Sequence, residues 1–108
     1  MGRNASKSAI AAFIAALCAA GLVQAQAPQD LLKQYSCYTC HSNSETKTGP
    51  AFVDVAAKYR GKSDAPDHVA TTMRKGRHGY GPWHMPPHPE ISRADAMTMA
   101  KYILSLER

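Results

Sequence analysis

Five consecutive residues, Cys37-Tyr38-Thr39-Cys40-His41, constrain this chain more than any other stretch, because Cys-x-x-Cys-His is the signature of covalent attachment of a c-type haem. On one helical turn Cys37 and His41 stand four residues apart on one face, with Cys40 three residues from Cys37. Both sulfurs then reach a porphyrin edge while the His41 imidazole reaches the iron from one side.

Two other chemistries use the same residue types. A thioredoxin-like dithiol belongs at the start of a helix in a βαβ context, and no strand pattern precedes Cys37. A zinc site built from Cys37, Cys40, His84 and His88 has a usable His spacing. Its gap of 43 residues between Cys40 and His84, however, far exceeds the usual separation of about 12–15. Purely structural cysteines leave the adjacent histidine without a purpose.

The N-terminus places the chain where haem attachment occurs. Arg3 and Lys7 form a positive start, Ala9 to Val23 is an uncharged apolar run of 15 residues, and Val23-Gln24-Ala25 supplies small side chains for cleavage. This predicts a signal peptide over residues 1–25 and export to the bacterial periplasm. A cut after Ala27 would leave Pro28 beside it, so cleavage after Ala25 is favoured. The run is short for a membrane span, and the alternative is an uncleaved anchor. Cys18 lies inside the run after a bulky Leu17, which makes a poor lipoprotein site, and it is expected to leave with the leader.

Residues 26–108 then form one small domain of 83 residues, a size at which an all-protein core is marginal and a haem would add apolar bulk. The full chain carries 13 basic and 8 acidic side chains; without Arg3 and Lys7 the balance is 11 against 8, a net of +3. Two haem propionates lower that to about +1. No dense basic stripe interleaved with aromatics is present, so nucleic-acid binding is not implied, nor is stable membrane insertion after cleavage. Arg74, Lys75 and Arg77 read as a solvated or docking face.

The mature part reads as all-α, with about four helices. Pro28, Asp30, Leu31, Leu32 and Tyr35 predict a first helix running into Cys40. Residues 42–49 are a polar loop leading to Pro50. Phe52, Val55, Ala56 and Tyr59 follow a helical period, with Gly61 just past the end. A third helix is capped by Ser63 or Asp64, buries Val69 and Met73, and stops at Gly76. Gly79, Gly81, Pro82, Pro86, Pro87 and Pro89 then predict a long stiff loop, a type that in small domains usually binds something. Ser92 with Asp95 resembles a capping box, Ile91 and Ala96 occupy the staple positions, and a last helix places Ala96, Met99, Ala100 and Ile103 on one side.

The iron of such a haem needs a sixth ligand. Met85, a soft thioether between glycines and prolines and outside any helical pattern, is the leading choice, with His84 and His88 as rivals. Met73, Met97 and Met99 sit at helical spacing and read as core filler.

Cys37 to His41, the Thr48-Gly49-Pro50-Ala51 turn, the Gly81-Pro82-Trp83-His84-Met85-Pro86-Pro87 loop and the terminal helix together resemble class I cytochromes c, of the short soluble monohaem type of bacterial respiratory chains. The resemblance covers nearly all of residues 26–108. It implies one haem c bound through thioethers at Cys37 and Cys40, axial ligands His41 and Met85, and a Pro50 carbonyl accepting a hydrogen bond from His41. Tyr80 stands where this group often has a tryptophan that bonds a haem propionate; Arg74 is a second propionate partner or a helix-end cation. Trp83 departs from the smaller residues of the group and enlarges either the haem shield or a hydrophobic docking patch.

A six-coordinate iron admits neither substrate nor oxygen, so the expected function is single-electron transfer between Fe(III) and Fe(II) at a positive potential, not enzymatic turnover. Redox donor and acceptor proteins would dock transiently at an exposed haem edge ringed by Lys33, Lys47, Lys58, Lys62 and Arg77. The alternatives are a haem subunit of a periplasmic oxidoreductase complex, and a gas-binding or peroxidatic haem protein with an open sixth site.

Overall fold

Pro28 opens the first helix, α1 (Pro28–Gln34), where its fixed φ suits a helix start and its missing N–H is no loss. The computed structural model describes residues 26–80 and 83–108, with only the backbone for 79, 80 and 83. The leader expected over residues 1–25, the Gly81-Pro82 turn, and the side-chain roles expected of Tyr80 and Trp83 lie outside the described residues.

After α1 come a short 3₁₀ turn (Cys37–Thr39), α2 (Phe52–Tyr59), α3 (Ala65–Lys75), a hairpin of β1 (Arg77–Tyr80) and β2 (Trp83–Met85), and α4 (Arg93–Leu104). The last helix is the hub, packing against α1, α2 and α3. Its buried face is Ala96, Met99, Ala100 and Ile103, the four residues its periodicity selects. Leu31 and Leu32 of α1, Phe52 and Tyr59 of α2, and Val69 and Met73 of α3 complete one apolar cluster. No polar or charged residue is buried among the described residues. Met73 and Met99 are buried and Met97 is partly so, as filler should be.

Three local features differ from expectation. The first helix stops at Gln34 instead of reaching Cys40, because Ser36 takes a left-handed conformation (φ 60°, ψ 28°) that turns the chain before the cysteines. No glycine marks that break. The segment expected to be a loop holds an antiparallel hairpin, with Arg77 opposite Met85 and Tyr80 opposite Trp83, the pairing slipping by one residue between them. Pro86, Pro87 and Pro89 fall beyond β2, where a missing N–H costs the ladder nothing. Third, Asp64 caps α3 by position but makes no side-chain bond to it.

Gly76 is what lets the hairpin follow α3 directly. Its φ is +76°, and a Cβ there would stand 2.6 Å from the Met85 carbonyl oxygen. The strand that carries Met85 therefore lies against bare backbone. Two further bonds fix the return segment to α3: His88 N–H donates to the Met73 carbonyl at 3.2 Å, and Arg74 Nε donates to the Ile91 carbonyl at 3.0 Å. Arg74 thus ties the chain between hairpin and α4 to the end of α3. Ser92 Oγ then accepts from the Asp95 N–H at 3.0 Å, giving the expected cap of α4.

Candidate haem-binding site

The left-handed Ser36 hands the chain to a single turn in which Cys40 N–H (3.2 Å) and His41 N–H (3.0 Å) both donate to the Cys37 carbonyl. The second of these is an α-type bond across four residues, so Cys37 and His41 share a face even though α1 has ended. Both cysteines are half-buried free thiols. Burial pushes the Cys37 thiol above its ordinary pKa, so it is neutral rather than a thiolate.

Three contacts hold the His41 ring. Its Nδ1 lies 2.8 Å from the Pro50 carbonyl oxygen; a carbonyl can only accept, so Nδ1 carries the proton and Nε2 keeps its lone pair. One face of the ring stacks on Phe52 at 4.9 Å between centroids and 21° between planes. Gly49 meets the ring so closely that a Cβ there would stand 2.4 Å from Cε1 and 2.8 Å from Nδ1. The loop doing this is itself pinned, since Gly49 N–H donates to the Cys40 carbonyl at 2.7 Å and Phe52 N–H to the Ser42 carbonyl at 2.9 Å.

Behind the turn runs a polar chain that the sequence did not reveal. Tyr38 donates its hydroxyl to Asn43 Oδ1 at 3.0 Å, and Asn43 Nδ2 donates to the Tyr102 hydroxyl at 3.2 Å. The attachment loop is thereby fastened to α4. Phe52 was legible only as a core residue; its stacking on His41 has no signature in a helical period.

Met85 is half-buried and packs against the core cluster. His84, one residue earlier on β2, is exposed, and its ring stacks on that of His78 from β1. His88 Nδ1 lies 3.0 Å from Glu90 Oε1. Glu90's own backbone N–H, followed by His88, holds the Glu90 carboxyl below its usual range. Cys37, Cys40, His84 and His88 do not assemble, and no group of three or more His, Cys, Asp or Glu residues fit to hold a metal exists among the described residues. The zinc arrangement has no geometric basis here. The dithiol alternative also fails, since the only strands among the described residues follow the cysteines by some forty positions.

The expected docking cations do not form one ring. Arg77 Nη1 donates to the Tyr59 hydroxyl at 3.0 Å, while the Lys58 and Lys62 amines each sit 5.4 Å from the Tyr59 ring centre. Lys47 donates to the Tyr38 carbonyl at 2.8 Å, and Lys33 lies apart on α1.

Unpaired half-buried thiols and an imidazole with one nitrogen fixed and the other available fit a covalently held haem. Such a site on four helices that converge on the last one defines a haem-carrying electron-transfer protein of the c type.

The chain belongs to the cytochrome c family, whose model matches residues 25–107. It is 42% identical over 93 residues to cytochrome c-552 of Nitrosomonas europaea, covering 85% of this chain and 88% of that protein. With cytochrome c-552 of Hydrogenobacter thermophilus it shares 41% identity over 83 residues, 75% and 83% of the two chains. The crystal structure of the wild-type Nitrosomonas protein superposes with a TM-score of 0.70 over 73% of this chain and 99% of that one, at 40% identity. The chain accordingly carries one haem c, attached through Cys37 and Cys40, and is a monohaem electron carrier rather than an enzyme.

Proposed function

We propose that this protein is a diffusible periplasmic shuttle whose haem iron is closed by His41 on one side and Met85 on the other. The haem supplies the one-electron Fe(III)/Fe(II) couple; the residues of the chain set its terms. Pro50 fixes the His41 tautomer and raises the basicity of Nε2. Met85 offers a neutral sulfur, which favours the ferrous state and a positive potential, and the absence of buried charge among the described residues acts in the same direction.

The observation that carries the ligand set is the division of labour on the hairpin. Met85 turns toward the core, whereas His84 stacks outward on His78 and His88 is engaged with Glu90. Among the described residues no helix is long and apolar enough to cross a membrane. Lys33, Lys47, Lys58 and Lys62 are exposed and give transient contacts to redox partners. Tyr80 is assigned to a haem propionate.

Met85→Ala tests the ligand set. The expected result is loss of the near-infrared methionine–iron band with a fall in potential, and an unchanged band and potential rejects Met85. Size exclusion of the native extract addresses the shuttle, since co-elution with a large complex would mean a subunit.

A further inference from the structure

We infer that the outer face of the hairpin is a two-histidine site for a borderline divalent cation of the zinc and copper class. His78 on β1 and His84 on β2 lie in the stretch where the ladder shifts register, and their rings stack on one another across it. Alternation along a strand puts them on the face away from Met85.

The rings are close neighbours, with centroids 5.5 Å apart and planes 17° from parallel. A metal bound to one nitrogen of each ring at ~2.0–2.1 Å holds the ring centres roughly 5 Å apart at a tetrahedral angle, so the spacing already matches and χ rotations that unstack the rings and turn one nitrogen of each toward the other complete the pair. Both residues are exposed, and neither ring has a hydrogen-bond partner among the described residues. Imidazole selects zinc and copper over hard cations such as magnesium. No third His, Cys, Asp or Glu joins the pair among the described residues, so water fills the remaining positions. An ion there ties β1 to β2 beside the point where their pairing slips, and stabilises the folded state by mass action. This site is separate from the haem and rests on the proposed reading that Met85, not His84, is the sixth ligand.

The test titrates Zn²⁺ into the ferrous, diamagnetic holoprotein, followed by calorimetry and by the histidine ring proton resonances. Saturable one-to-one binding that shifts His78 and His84, a thermal midpoint that rises with Zn²⁺, and no such response to Mg²⁺ are expected. His78→Ala should weaken binding at least about tenfold and abolish the rise in midpoint. His84→Gln should do the same, while His88→Ala should leave binding unchanged. Absence of saturation, binding that survives His78→Ala, or shifts confined to His68 or His88 overturns the inference.

Discussion

Tyr35 donates its phenol to Asp95 Oδ2 at 2.7 Å, joining the end of α1 to the first turn of α4 across 60 residues. In a complete capping box the residue at this position would fold its side chain back to the cap. Asp95 gives only its N–H to Ser92 and turns its carboxylate to the other helix. The helix start and the helix–helix contact therefore share one residue.

That bond makes stability depend on alkaline pH. The hydrogen bond to Asp95, first among several causes, raises the Tyr35 phenol above its ordinary value of 10.0. A raised folded-state pKa means that the contribution is complete below the unfolded value and is lost as pH climbs through the folded one. Tyr35→Phe is expected to lower the thermal midpoint at neutral pH, with the gap to the wild type narrowing above pH 10.0. Melting curves across that range decide it; a constant gap would mean that the bond is not the cause.

Gly49→Ala should disturb His41 more than the overall fold. The added carbon would meet the ring at 2.4 Å, so either the ring or the loop must move. Overpacking of this kind costs about 1–3 kcal/mol. Denaturant unfolding of the holoprotein gives the loss, and the His41 Nδ1 proton resonance reports whether the Pro50 bond has broken.

Ser36→Gly is expected to stabilise. The left-handed conformation is strained for a residue with a Cβ by roughly 1–2 kcal/mol, and part of the relief is offset by the greater chain entropy of glycine. A net gain of about 0.5–1 kcal/mol in denaturant unfolding is the expected outcome. A loss would show that the Ser36 side chain has a role of its own.

Ser92→Ala removes the side-chain acceptor at the start of α4, the helix against which the other three pack. A cost of about 1 kcal/mol follows from the capping bond alone. Ser92→Asp should restore most of it, since a carboxylate also accepts at a helix N-terminus; equal loss in both variants would point to packing instead.

The sequence alone determined most features whose cause lies within a few residues, the exception being the left-handed turn at Ser36, which no glycine marks. The attachment motif, the period of α2 and α4, the stop at Gly76 and the Ser92 cap are each written in adjacent positions, and the structure places them where that pattern requires. What only the tertiary structure decided are the relations between distant segments: Phe52 stacked on His41, Tyr38 linked through Asn43 to Tyr102, and Tyr35 on Asp95. The hairpin belongs with them, because glycines and prolines mark where a helix cannot run but not which strands will pair. A backbone period or a cap is selected by local sterics and hydrogen bonding, whereas a side chain finds a remote partner only after the helices have packed.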